Sequence, residues 1–457
     1  MHYLTRIAPK LSLAFIGLKW RLLKKLNGVL RRPPMKAAVK WAGVIGRAGS
    51  LAGSLRRRRP MTKASPGLLV LDPGFGEAFG HHPAINRLIA DYAHQRGLPV
   101  RLLASKRCPD SALQDFCALK AFEHSVYTFM PEDWRRTLAL LDTCNKRTRA
   151  ELVHFLGHAS TGDTIVVHTA SQWNIRGMYE WARTLEQSNL RFKFLFRFEP
   201  SFSPVPYNLT PENQTVLSAF YRETIRSWKS LPHEVEFFVD SVVLEEEFKR
   251  ICPIDYRMLS VQVEFPEDVR LEEPPPRYDR PPIFLFVGNA REEKGIGLLP
   301  EAVQYYLAQG HRGRFIVQSL DLAPPHIAER VRAVDSIEVL DRPLVGQKYF
   351  DFVRSGDVVL AAYNPDRYRF RTSHIFVEAL GLGRPAITSK GSWMDAELAY
   401  LTPGSALVLE DYSGRALGKA MVEFDRRRRK VTEQARAGAA RVRDRHNRNA
   451  FIRAFLG

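Results

Sequence analysis

Two stretches of this 457-residue chain bring together the residue types that hold an anion. In FVGNAREEKGIGLL (286–299) an apolar run stops at Gly288. Asn289 follows, then Arg291 and Lys294, and Gly295 opens a predicted helix. Unpaired backbone N–H groups at a helix start, with an arginine and a lysine beside them, favour a phosphate. In RTSHIFVEALGLGRP (371–385) the residues Thr372, Ser373 and His374 stand at a second helix start, where hydroxyls and free N–H groups suit a phosphate too. Glu378 lies one to two turns further in, among Phe376, Val377, Ala379 and Leu380. A charged side chain in such company needs a partner. A ribose diol would serve; so would a neighbouring Arg369, Arg371 or Arg384.

A third stretch, LDPGFGEAFGHHPAI (71–85), follows the first predicted strand. Gly74, Gly76 and Gly80 permit close approach of the backbone to a ligand. His81 and His82 then fall at the mouth of a cleft, or else cap a helix into solvent. FRFEPSF (196–202) ends a later strand with Arg197 and Glu199 aimed at the same edge, Glu199 as a contact for an acceptor molecule or as a base. No D-x-D pair of acids sits at a strand end, so the chain is read as holding no metal and no cofactor; Arg291, Lys294 and the helix start at Thr372 and Ser373 neutralise developing negative charge instead.

The elements that must position these residues alternate strand, turn and helix. LLVLD (68–72), VRLLA, TIVVH, FKFLFRF and VEFFVD are apolar runs of strand length with helical stretches between them. Such alternation predicts a parallel sheet covered on both faces. FPEDVRLEEPPPRYDRPP (265–282), with three consecutive prolines and dense charge, cannot build a core and reads as a linker. The alternation restarts with IFLFVG, RFIVQS, IEVL, VVLAA, PAIT and ALVLE. The division is therefore 1–66 a basic amphipathic segment, 67–264 a first α/β domain, 265–282 a linker, 283–425 a second α/β domain, and 426–457 basic helices. Two doubly wound domains facing each other leave a cleft at the carboxyl ends of both sheets, where open α/β sheets bind ligands.

The two anion motifs, in this order, resemble the donor half of glycosyltransferases of the two-Rossmann GT-B fold, in particular the group 1 family with its retaining members. The resemblance covers residues 283 to 400 well and the first domain in outline. It implies a diphosphate loop at Gly288, Lys294 and Gly295, and the second half of an E-x7-E…EAL-x-x-G-x-P pattern at Glu378, Ala379, Leu380, Gly383 and Pro385. GSWMDAEL (391–398) falls where the family has a glycine turn and a closing glutamate. Two positions depart from the pattern. Asn289 replaces the arginine after the glycine, with Arg291 as substitute, and Phe370 replaces the first glutamate, which in the family contacts the donor sugar. Asp366, Tyr368, Arg369 and Arg371 are the candidate replacements. The resemblance implies an enzyme that moves a sugar from a nucleotide-diphosphate donor to a glycan or lipid-linked acceptor, with Arg291 and Lys294 catalytic. Gly74, Gly76, Gly288, Asn289, Gly295, Thr372, Ser373, His374 and Glu378 would bind the donor, and His81, His82, Arg197 and Glu199 would face the acceptor.

Other classes compete. The loop Gly74, Gly76, Gly80 has the spacing G-x-G-x-x-x-G, and a dinucleotide fingerprint wants its third glycine at Phe79. Lys106 and Arg107 after the second strand suit only a 2′-phosphate, so an NADP oxidoreductase is the rival, and it leaves Lys294 and Glu378 unexplained. A sugar-nucleotide epimerase shares the fold and has little use for a basic arm. A membrane-surface scaffold with a decayed site is the third reading, supported by Phe370.

Charge is distributed unevenly. Of the formal net charge of +19, residues 1–71 carry +16 without a single acid and residues 426–457 carry +9, which leaves the middle at −6. In the head, Leu11, Phe15, Leu18, Leu22 and Leu26 recur at helical spacing with Arg21, Lys24 and Lys25 opposite. The longest apolar run, LSLAFIGL, is far short of the ~20 residues a membrane span needs. The head reads as an arm lying on an anionic membrane surface, the protein being cytoplasmic and peripheral on the inner face of the cell membrane. A transit peptide, a poor signal peptide and a solvated tail are the alternatives. Few aromatics interleave with the charges, so nucleic acid is not the expected partner. Cys108, Cys117, Cys144 and Cys252 show no C-x-x-C pairing and read as cytosolic thiols.

Overall fold

The computed structural model describes residues 67–76, 81–116, 118–156, 162–185, 189–204, 210–265, 278–342, 344 and 346–457. The basic head, Gly80, Cys117 and most of the proline-rich linker lie outside the described residues. The first domain is built on a parallel sheet of β1 (Leu68–Asp72), β2 (Val100–Ser105), β3 (Leu119–Phe122), β4 (Thr164–Val167), β5 (Arg191–Phe196), β6 (Glu234–Val239) and β7 (Arg257–Met258), in the order β3-β2-β1-β4-β5-β6-β7. All five residues of β1 are buried, because helices cover both faces and leave no position for alternation. Register puts Leu69 between Arg101 of β2 and Ile165 of β4. Phe192, Phe194 and Phe196 of β5 carry the core, where Phe194 stacks on Phe237 at 5.7 Å and Trp228 lies against both Phe192 and Phe194.

The second sheet repeats the plan with β8 (Ile283–Phe286), β9 (Arg314–Gln318), β10 (Ile337–Leu340), β11 (Val358–Ala361), β12 (Ala386–Ser389) and β13 (Ala406–Leu409), in the order β10-β9-β8-β11-β12-β13. Strand order reverses between β1 and β4 in one domain and between β8 and β11 in the other. Those are the switch points that open a ligand crevice at the carboxyl edge. All six apolar runs of the second half form strands. In the first half β3 and the two-residue β7 had no counterpart in the sequence reading, since LKAF is short and β7 is exposed.

The helices that matter to the site are α1 (His81–Gln95), α2 (Gln347–Ser355) and α3 (His374–Gly381), followed by the long α4 (Gly414–Arg445) and the terminal α5 (Arg448–Leu456). The boundary expected at residue 426 falls inside α4, which continues unbroken because no glycine or proline stands between Phe424 and Gln434. Asn447 caps α5 by accepting from the N–H of Ala450 at 2.7 Å. Phe451, Ile452 and Phe455, at helical spacing, then bury themselves in the first domain's core beside Leu68, Val70, Ile85 and Leu88. The chain thus crosses between the domains twice, and the crossings touch. The N–H of Val261 donates to His446 Nδ1 at 3.2 Å and that of Arg448 to the Val263 carbonyl at 3.1 Å.

Candidate functional site

In the second domain the site begins where β8 ends. Gly288 has φ +76° and its N–H donates to Gln318 Oε1 at 2.8 Å. A side chain there would start 2.8 Å from Ile375 and 3.5 Å from Lys294 Nζ, so the absence of one leaves the ammonium against bare backbone. Glu292–Lys294 form one 3-10 turn and Ile296–Leu298 another, hinged at left-handed Gly295, φ +82°. The α-helix starts at Leu299, four residues later than the sequence reading placed it, since Gly295 packs under the Ala362 carbonyl and cannot enter a regular turn. The tight turns draw Lys294 inward to 9% exposure. Burial, then the neighbouring Arg291, pushes its ammonium down to about 7, and Glu293 offsets this in part. None of the ion pairs among the described residues involves Lys294; its Nζ sits 5.6 Å from the centre of the Tyr363 ring. Arg291 donates to the Tyr368 hydroxyl at 3.1 Å and pairs with Glu293 at 3.1 Å. Asn289 is exposed.

Thr372, Ser373 and His374 of the second motif line the cleft, and both hydroxyls already have partners within the protein. Ser373 Oγ is spent as the cap of α3, accepting from Phe376 N–H at 3.3 Å. Thr372 Oγ1 donates to Asp240 Oδ2 of the first domain at 3.5 Å. Burial, then Arg197 and His446, pushes the His374 imidazole down to about 3, so it is neutral. Glu378 lines the cleft, and in place of an arginine its Oε2 accepts from the Tyr349 hydroxyl of α2 at 2.5 Å. Burial raises its carboxyl above the usual range, while Tyr349 and Lys294 favour the charged form. Phe370 packs against the first domain's core rather than lining the cleft. Of its candidate substitutes, Tyr368 and Arg371 line the cleft and Asp366 is exposed.

In the first domain the histidine pair separates. His81 lines the cleft, and its Nε2 is buried with no hydrogen-bond partner among the described residues. Burial, then His82 and Arg197, holds its imidazole well below the usual value. His82, read as standing at the mouth, instead turns inward to 6% exposure and binds Asp72 Oδ1 through Nδ1 at 2.8 Å. Gly74, read as a phosphate contact, makes room for that ring: a side chain there would begin 2.2 Å from His82 Cε1. Gly76 closes no such gap, its nearest neighbour being the Gly74 carbonyl at 3.8 Å. Arg197 lines the cleft and donates to Asp240 Oδ2 at 3.0 Å. Burial pushes Asp240 up to about 6 despite that arginine. Glu199 is not among the cleft residues; burial raises its carboxyl, with Arg371 and Arg367 opposing.

The cleft between the carboxyl edges of the two sheets encloses about 1090 Å³. Arg87, Arg197, Arg291, Lys294, Arg371 and Arg448 line it, against two carboxylates, Glu264 and Glu378. Arg87 is paired with Asp115, Arg197 with Asp240, Arg291 with Glu293 and Arg448 with Asp91 and Glu264, so that the positive potential met by whatever enters falls mainly to Lys294 and Arg371. Tyr127, Tyr349 and Arg448 escaped the sequence reading, as did Asp72 and His168, which with His82 form a buried trio. Only Asp72 left a signal, as the acid that ends an otherwise apolar strand. The trio's ligand atoms lie within 4.8 Å of one another, a spacing a divalent cation could bridge. Both Asp72 oxygens, however, already accept N–H hydrogens, from His82 and Gly74 on one and from Asn86 on the other, and His168 Nε2, 3.0 Å from Asp72 Oδ2, is bonded to Asn86 Oδ1 at 2.9 Å.

Neither a protein-family model nor a curated protein matches the chain. Solved structures do. A glycosyltransferase from Rickettsia africae superposes with a TM-score of 0.57 at 11% identity, over 85% of this chain and 97% of that one. Sucrose-phosphate synthase from Thermosynechococcus elongatus gives 0.55 at 15% identity, over 84% and 96%. Anabaena HepE in complex with UDP-glucose gives 0.54 at 11% identity, over 85% and 98%. At such identities the likeness speaks for architecture. The chain has the GT-B arrangement of two Rossmann-like domains with a helical C-terminal tail.

Proposed function

We propose that the protein is a glycosyltransferase that takes a nucleotide-diphosphate sugar as donor and a membrane-associated or lipid-linked glycan as acceptor. The observation that carries this reading is Lys294, a buried ammonium with no ion pair among the described residues, set against the bare backbone of Gly288 in a cationic cleft. A buried charge of that kind is costly unless an anion joins it. In transfer, the bond between the anomeric carbon and the diphosphate breaks and negative charge grows on the leaving oxygen. Lys294, buried, and Arg291 beside it meet that charge as preorganised donors. With these cations in place the reaction is read as metal-independent and, by the resemblance, retaining. Glu378, held by Tyr349, is assigned to the donor ribose. His81 and Arg197 face the acceptor side, and the exposed Arg426, Arg427, Arg429 and Lys430 of α4 together with the basic head fit an anionic membrane surface. Among the described residues no helix is long and apolar enough to cross a membrane.

The test is a thermal-shift panel of nucleotides and sugar nucleotides on the full chain. Stabilisation by one nucleoside diphosphate and its sugar conjugate, lost in Lys294→Met, is the expected result. A melting temperature that no nucleotide moves would sink the reading, and stabilisation by NADP alone would replace it with the oxidoreductase.

A further inference from the structure

A second hollow, of about 460 Å³, is lined by residues that lead into β8 and β9 and by the basic stretch of α4. It therefore lies at the amino edge of the second sheet, away from the cleft. Five arginines line it, Arg280, Arg312, Arg426, Arg428 and Arg429, against one carboxylate, Asp425. Asp425 is already engaged, by His311 Nδ1 at 2.6 Å and the Tyr306 hydroxyl at 3.0 Å. Two of the arginines are fixed by buried Asp357: Arg280 donates to its Oδ2 at 2.8 Å and Arg428 pairs with it at 2.9 Å. The other three, Arg312, Arg426 and Arg429, are exposed, and no ion pair among the described residues involves them. A solvated face of α4 would account for Arg426 and Arg429, which share a face at i, i+3. It does not account for Arg312, which a separate turn, before β9, brings to the same hollow. Like charges gathered around one concavity repel unless an anion joins them. Arg429 is restrained by the Tyr278 ring, 5.0 Å from its guanidinium, and the Tyr278 hydroxyl is buried with no hydrogen-bond partner among the described residues.

We propose that this hollow is a phosphate site separate from the cleft, taking a phosphate monoester between Arg312, Arg426 and Arg429. A guanidinium fork meets two phosphate oxygens at once, and a terminal phosphate offers three oxygens to converging forks, where a carboxylate offers two. The Tyr278 hydroxyl, which lines the same hollow, is a donor in want of an acceptor. One carboxylate between Arg280 and Arg428 leaves the wall they form net positive. The phosphate stands either on an anionic lipid headgroup or on a soluble molecule, and both present the same group to the three arginines. None of the residues that line the hollow lines the cleft, so the site is independent of what the cleft transfers.

Two measurements on the full chain read the two sources. Titration calorimetry with glycerol 3-phosphate reads the soluble one. Flotation with phosphatidylcholine vesicles carrying phosphatidic acid, against vesicles carrying phosphatidylserine at matched charge, reads the lipid one. The expected result is binding of glycerol 3-phosphate, or a preference for phosphatidic acid, or both. Arg312→Gln combined with Arg429→Gln should weaken it about tenfold or more, the range of a lost charge-assisted hydrogen bond, with the melting temperature of the free protein unchanged because both side chains are exposed. Lys294→Met should leave it intact. Arg330→Gln combined with Arg441→Gln removes the same charge from two exposed arginines that do not line the hollow, and should leave it intact too. Three outcomes overturn the site. A wild-type protein that neither binds glycerol 3-phosphate nor prefers phosphatidic acid has no monoester site. An equal loss in the Arg330 and Arg441 pair assigns the effect to net charge alone. Loss in Lys294→Met assigns the phosphate to the cleft.

Discussion

Lys294 concentrates the tension between stability and ligand at the residue scale. Its folded value of about 7 stands far below the usual 10.5, so the unfolded chain binds more protons between those two values. Stability therefore rises with pH from about 7 to 10.5, and the cost of the buried charge is at its full size below 7. Lys294→Met should melt higher than wild type at pH 6 and converge with it near pH 10.5. Diphosphate binding runs the other way: above pH 7 the site must take up a proton, and affinity should fall by up to about tenfold per pH unit. Titration calorimetry of UDP across pH 6.5 to 9 checks this, and a slope that survives in Lys294→Met would remove Lys294 from the diphosphate. Lys294→Ala should lower turnover about a hundredfold or more while the protein stays folded. Glu378→Gln keeps an oxygen for Tyr349 and should weaken nucleotide binding about tenfold with little change in melting temperature. A lower melting temperature with unchanged binding would make Glu378 a structural partner of Tyr349 only. That tyrosine was not legible in the sequence. It reaches Glu378 from another helix, twenty-nine positions upstream, and nothing in its own neighbourhood marks it.

Elements were more legible than contacts, because hydrophobic periodicity is local while side-chain partners are set by folding. The six strands of the second half stand out as apolar runs, and the parallel sheet follows from their alternation with helices. His81 and His82, adjacent in sequence, were indistinguishable until the turn of α1 sent one into the cleft and the other onto Asp72. The last helix shows the same limit. Its amphipathic spacing is plain, but which domain it covers depends on the whole chain. Phe455 is fully buried and meets Phe238 edge-on at 5.0 Å. Phe455→Ala should cost ~3–5 kcal/mol of the first domain's stability in urea unfolding. A loss below ~1 kcal/mol would show that the helix merely rests on that surface.

For the whole molecule, charge is the governing quantity. The basic head and the basic stretch of α4 bracket a mildly acidic body. Deleting residues 1–60 removes fifteen basic residues and touches neither sheet. The truncated protein should fold and bind nucleotide, yet float poorly with anionic vesicles, since each basic residue near such a surface contributes ~1 kcal/mol. Residual flotation should vanish on raising salt, through the cluster at 426–430. A full-length protein that stays in solution with anionic vesicles at low salt would favour the transit-peptide reading of the head.

The two interdomain crossings lie side by side, joined by hydrogen bonds from Val261 to His446 and from Arg448 to Val263. A pair of parallel straps fastened together behaves as a single hinge pin rather than as two separate tethers. Sliding or twisting of one domain against the other would break those bonds, and parting the domains would also separate Thr372 from Asp240 and Arg367 from the Ser203 carbonyl. Arg448 belongs both to this spine and to the cleft wall. Its guanidinium pairs with Asp91 and with Glu264 of the first crossing, so an anion that draws on it competes with the very contacts that fasten the two straps.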